Sequence, residues 1–156
     1  MDDAVARVQH FFTERGIGIE LMQFATRVHT AQQAAEALGV PIQHIVKSLV
    51  FEADHQPVLV LCSGDRRVDT AKLATLCNAQ QVHKASAAVT KRTTGYTIGG
   101  VPPVAHATTL PVFMDTVLLA CATVYAAAGT AQTLFAIDPE VLKTCSGARV
   151  ASLSEG

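Results

Sequence analysis

Tryptophan is absent from this chain, aromatic residues make up only 5% of its 156 positions, and charged residues only 16%. With so few rings and so many alanines, the core has to be built largely from small side chains. The shortage of charge excludes a disordered chain. At 49% hydrophobic residues and a mean hydropathy of +0.30, too much apolar surface would be left in water. An excess of basic residues is also missing, with 12 Lys and Arg against 13 Asp and Glu and a net charge of -1. Proteins that grip long stretches of nucleic acid usually carry such an excess. A partner is therefore either not a nucleic acid or one touched over a small area. No hydrophobic run approaches the roughly 20 residues needed to span a bilayer. The longest, from Val117 to Ala128, is interrupted by Thr123 and Tyr125. The acidic, amphipathic start is not a signal peptide, so a cytoplasmic protein with no membrane partner is expected.

Several reactive-site patterns are missing too. The four cysteines, Cys62, Cys77, Cys121 and Cys145, form no CxxC pair, which argues against a zinc site or a redox dithiol and for reduced, mostly buried thiols. The six histidines are scattered and none falls in HExxH or HxH. There is no GxSxG elbow and neither phosphate-loop pattern, GxxxxGK[ST] nor GxGxxG. No metal or cofactor is expected. An enzyme built from this sequence would work by positioning and polarisation rather than through a protein nucleophile.

The pattern that is present predicts a single α+β (mixed α/β) domain over 1–156, with a mixed, mostly antiparallel sheet and short flanking helices. There is no repeat, linker or low-complexity segment. Val5, Val8 and Phe12 share one face of a helix from Asp3 to Glu14 that Gly16 and Gly18 end. Thr30 can cap a helix from Ala31 to Leu38, Asp69 one through Leu76, and Ser86 one through Arg92. Asp138-Pro139-Glu140 is a helix start with a cap, proline in the first turn and an acid beside the positive dipole end. Strands are expected at Ile19–Phe24, Ile45–Glu52, Pro57–Cys62, Gln80–His83, Val112–Asp115, Val124–Ala128, Leu134–Ile137 and Val150–Leu153, gathered around one sheet.

Three features could carry chemistry. Lys47 interrupts the apolar strand Ile45-Val46-Lys47-Ser48-Leu49-Val50-Phe51. Both faces of that strand are largely apolar, so an ammonium there needs an anion or a cleft, unless the stem packs and the head reaches water. Thr97-Ile98-Gly99-Gly100-Val101-Pro102-Pro103 is the second. Two glycines before a stiff segment can aim the amides of Gly99, Gly100 and Val101 at one oxygen, or can simply make a rigid turn. The third is Ala126-Ala127-Ala128-Gly129-Thr130, where Gly129 permits a tight turn beside a ligand, or the turn alone.

Taken in order, with the helix Thr30–Val40, the segment Ser63-Gly64-Asp65-Arg66-Arg67-Val68-Asp69, and Asp115 followed by Leu118, these features resemble the YbaK family. The likeness runs from about Thr30 to Leu153. That family is also described as the prolyl-tRNA-synthetase-associated editing domain. The resemblance implies a freestanding aminoacyl-tRNA deacylase acting on mischarged tRNA, commonly tRNA(Pro), carrying Cys, Ala or another small amino acid. Its partners would be the aminoacyl-tRNA 3′ end and prolyl-tRNA synthetase. The family's strand lysine matches Lys47, its glycine pair matches Gly99 and Gly100, and its later glycine matches Gly129. Catalysis is thus assigned to Lys47, Gly99 and Gly100, and substrate binding to Ser48, Val101, Gly129 and Thr130. Lys47 would hold the 3′ end and the loop amides the carbonyl oxygen, with water or a group on the substrate attacking. Some members carry a histidine two residues after the later glycine, where this chain has Ala131. Arg66, Arg67, Lys91 and Arg92 would add local positive charge, or be solvated surface. The alternatives are a non-catalytic module that binds aminoacyl groups, tRNA or a synthetase, and a hydrolase of small acyl esters.

Overall fold

A computed structural model describes residues 3–155. Five helices form among them: α1 (Asp3–Glu14), α2 (Ala31–Leu38), α3 (Thr70–Cys77), α4 (Ala87–Thr94) and α5 (Pro139–Ser146). The expected caps are in place. Thr30 and Gln33 form a reciprocal capping box on α2, and Asp69, Ser86 and Asp138 each accept main-chain N–H groups at the start of α3, α4 and α5. Each such cap contributes about 0.5–2 kcal/mol. No helix among the described residues is long and apolar enough to cross a membrane.

The strands are β1 (Glu20–Gln23), β2 (Val46–Ala53), β3 (Gln56–Ser63), β4 (Val82–Lys84), β5 (Val112–Asp115), β6 (Val124–Ala127), β7 (Thr133–Ile137) and β8 (Arg149–Ala151). They make two sheets, where the sequence pattern suggested one. β1, β7 and β6 form an antiparallel three-stranded sheet. β4, β2, β3, β5 and β8 form a five-stranded one, in which β5 runs parallel to both neighbours. Strand patterns count strands but not partners, and among the described residues the main chains of the two sheets are joined by one parallel bridge, between Ile45 and Tyr125. Asp54 and His55 both take positive φ, 48° and 70°, to turn β2 into β3, the backbone a two-residue hairpin requires.

β3 is buried on both faces, which is why its sequence reads as an unbroken apolar run. On one face Phe51, Val60 and Cys62 pack with Leu73 of α3 and with Leu153. On the other, Val46, Val50, Leu59 and Leu61 join Phe12 of α1, Tyr96 and Phe135 of β7 in the main core. Phe12 and Phe135 lie with ring centroids 5.2 Å apart, tying α1 to the small sheet. Ala34 and Ala35 of α2 rest on Ile45 and Leu134. The alanine-rich composition serves this third contact, where small side chains let α2 approach β2 and β7.

Candidate functional site

Alternation along β2 sets up the site. Gly64 N–H donates to Ile45 O, on the β3 side, and Ala85 N–H donates to Val50 O, on the opposite edge. Main-chain groups in an antiparallel ladder alternate sides, so those of Ser48 turn away from β3. On that edge β4 pairs only with Phe51–Ala53, and β6 is bridged only at Ile45, just before β2. The stretch around Ser48 is therefore an open sheet edge. A cavity of about 500 Å³ lies against it, within the range of small-ligand sites. Its walls are β2, the start of α2, Lys84 and Ala85, Thr90 of α4, and the loop residues Ile98, Gly99 and Val101. The Ser48 hydroxyl oxygen is buried beside this space with no hydrogen-bond partner among the described residues.

Lys47 also lines the cavity but belongs to the other face of β2, directly opposite Cys62 on β3. It is half-buried, and its ammonium donates to the carbonyl of Arg66. Cys62 Sγ donates to the same oxygen at 3.6 Å. Burial pushes the Cys62 thiol up to about 11, an effect that the Lys47 charge partly opposes. Burial likewise raises the thiols of Cys77, Cys121 and Cys145, so none is a ready thiolate. Asp115, 1% exposed, sits beyond Cys62, next in the β3–β5 register after Leu61 and Met114. One of its oxygens accepts from Leu153 N–H at 3.4 Å and the other has no partner among the described residues.

The glycine loop is pinned at both ends. Tyr96 donates its hydroxyl to Ala105 O at 2.7 Å, and His106 donates to Pro102 O at 2.7 Å. The two glycines have different reasons to be glycine. Gly99 is exposed with φ of 93°, a left-handed conformation that side chains disfavour, and lines the cavity. Gly100 packs against the β6–β7 turn: a Cβ there would lie 2.8 Å from Thr130 Cα and 2.9 Å from Gly129 O. Its N–H donates to Thr97 O at 3.0 Å. In the free protein the Gly100 amide, expected to face a ligand, is therefore turned onto Thr97 O. The amides of Gly99 and Val101 make no hydrogen bond among the described residues, and both residues line the cavity.

Gly129 and Thr130, expected to meet substrate, are not among the residues that line this cavity. Gly129 is buried with φ of 104°, and a Cβ there would meet the Ala4 backbone at 2.8 Å; the left-handed turn and the close approach of α1 both demand glycine. Thr130 spends its hydroxyl on Thr133 and on Gln132 N–H. Together these two residues back the loop rather than face the space. Ala131 stands behind Gly99: a Cβ added at Gly99 would lie 3.9 Å from that of Ala131. Of the four surface cations expected to assist, none lines the cavity. Arg66 reaches Ser154, and Lys91 reaches Gly95 O.

A model of the aminoacyl-tRNA editing domain matches residues 25–145. The chain belongs to that family. Every cavity-lining residue, from Val28 to Leu134, falls inside the matched stretch. Over its full length the editing domain is similar to a crystal structure of a candidate trans-editing enzyme for prolyl-tRNA synthetase, with 38% identity, a TM-score of 0.93, and coverage of 100% of this chain and 99% of that one. It is 30% identical to the Bacillus subtilis protein YwhH over 144 residues, 92% of this chain and 91% of that protein. It is also 43% identical over 86 residues, 54% of this chain, to a proline–tRNA ligase of Lactobacillus helveticus. The match spans only 15% of that ligase's length.

His29, Lys84 and Thr90 line the cavity of the editing domain and carried no signal in sequence. Each is a single polar residue in an unremarkable local pattern, and only the fold brings them to one space. Among the described residues no group of three or more His, Cys, Asp or Glu side chains is placed to hold a metal ion.

Proposed function

We propose that this editing domain, acting in trans as one unit over 1–156, hydrolyses the ester joining a mischarged amino acid to the terminal ribose of tRNA. The intended tRNA is tRNA(Pro), the amino acid is Cys, Ala or another small residue, and the reaction runs in the cytoplasm. One observation carries this reading: the cavity pairs an open strand edge at Ser48 with two unspent amides, Gly99 and Val101, across it. The Ser48 edge and hydroxyl hold the aminoacyl group. The Gly99 and Val101 amides bind the carbonyl oxygen as negative charge grows on it, an interaction typically worth about 3 kcal/mol per donor in the transition state. Gly100, Gly129 and Thr130 hold that loop in place from behind.

Water, or a group on the substrate itself, attacks, in keeping with four thiols that burial keeps protonated. Lys47 exchanges a neutral carbonyl partner, Arg66 O, for the terminal phosphate or the ester region. A charged acceptor makes the stronger bond. The test is a panel of tRNAs charged with different amino acids, scored for release of each. Release of small amino acids from tRNA(Pro), competed by free tRNA, supports the reading. Release of none overturns it in favour of a binding module. Hydrolysis indifferent to free tRNA points instead to a small-ester hydrolase.

A further inference from the structure

A near-neutral protein that takes hold of a polyanion by one end has to place its few contacts where that end arrives. Two side chains at the rim of the cavity are suited to this, and neither makes a hydrogen bond or ion pair among the described residues. Ile98 is 52% exposed, and among the described residues Val141, at 36%, is the other exposed large hydrophobic side chain. Val141 lies on α5, away from the cavity. Ile98 stands on the cavity rim beside Gly99, in a loop otherwise pinned by Tyr96 and His106. One exposed apolar side chain is unremarkable by itself; Ile98 differs in lining the mouth of the cavity, where whatever enters has to pass it. Lys84 is exposed, lines the same cavity, and makes no hydrogen bond or ion pair among the described residues. The other lysine of the wall, Lys47, is spent on Arg66 O in the free protein.

We infer that Ile98 and Lys84 together receive the 3′ end of the tRNA at the rim, Ile98 against the face of the terminal base and Lys84 on the next phosphate along the strand, which leaves the terminal phosphate or the ester region to Lys47. The inference rests on the deacylase reading and adds a subsite to it. Every base presents a π-face whatever its sequence, and the Ile98 side chain offers that face an apolar surface to lie against. A single phosphate contact is what a lone unpaired lysine can supply. With the nucleotide held at the rim, the aminoacyl group reaches down to Ser48 and the Gly99 amide.

The test compares Ile98→Ser, Lys84→Gln and Val141→Ser with the unaltered protein, on whichever mischarged tRNA it cleaves best and on the same tRNA uncharged. Ile98→Ser is expected to raise KM roughly fivefold with kcat changed less than about twofold, and to weaken binding of uncharged tRNA by a similar factor. Lys84→Gln is expected to raise KM and to reduce the slope of log KM against log salt by about 0.7, the value for one contact to a single strand. Val141→Ser should match the unaltered protein. If Ile98→Ser lowers kcat and leaves KM alone, or if Lys84→Gln leaves the salt slope unchanged, the subsite is overturned while the deacylase reading stands. If the unaltered protein releases no amino acid from any mischarged tRNA, the deacylase reading fails first and the subsite falls with it.

Discussion

Replacing Lys47 by methionine keeps the stem that packs beside Cys62 and removes only the charged head. In the free protein this deletes the bond to Arg66 O and leaves that carbonyl one donor short. It also removes an ammonium from a half-buried position. The two effects oppose each other, so stability should move by less than about 1 kcal/mol, or at most about 4 °C in Tm for a chain of this length. In the reacting complex only the loss remains. A hydrogen bond to a charged group contributes about 1.5–3 kcal/mol net, which converts to roughly a 10- to 150-fold fall in kcat/KM. Lys47→Arg retains the charge but offers a planar fork in place of a compact head, and should recover only part of the activity. The assay is release of the amino acid from the best mischarged tRNA, with a thermal melt run on each variant. If Lys47→Met turns over within about threefold of the unaltered protein at unchanged Tm, Lys47 is a structural residue and the site is misplaced. If activity falls only as far as the folded fraction does, the same conclusion follows.

The two loop glycines should fail differently. Gly100→Val drives a side chain into the Thr130 and Gly129 backbone and should cost about 1–3 kcal/mol of stability, visible as a lower Tm. Gly99→Ala meets only an ordinary contact with Ala131 but a φ of 93°, so it should lower turnover more than Tm; the reverse ranking would show that Gly99 shapes the fold rather than the chemistry. Thiol alkylation at neutral pH should spare activity, because a Cys62 thiol near 11 is almost wholly protonated there; inactivation traced to one cysteine and prevented by substrate would contradict this. Burial lowers the pKa of His106, with its bond to Pro102 O opposing in part. The folded state therefore prefers neutral imidazole, and the stability this contributes is present above about pH 6.5 and is lost as pH falls through the lower folded value. Denaturant melts at pH 7.5 and pH 5 should show that loss, and His106→Asn should lose less over the same interval; an equal loss would assign the effect to other groups.

What could be read from the sequence was local. Thr30, Asp69, Ser86 and Asp138 cap the helices they precede because a cap needs only the next few residues. The strand cores fell where apolar alternation put them. Lys47 stood out because a charge breaks an apolar run, and Gly99 because paired glycines before prolines imply an unusual backbone. Packing decided the rest. Whether the strands make one sheet or two depends on which edges meet. Gly100 and Gly99 are neighbours in one motif, yet a turn from Thr97 and the backbone of Thr130 made the first a packing glycine. Gly129 owes its identity in part to Ala4, a residue at the far end of the chain. The cavity itself draws Val28, Ser48, Lys84, Gly99 and Leu134 from five separate segments. Side chains this distant in sequence share no periodicity, so only the closed fold brings an unpaired lysine, an exposed isoleucine and an open strand edge to the same space.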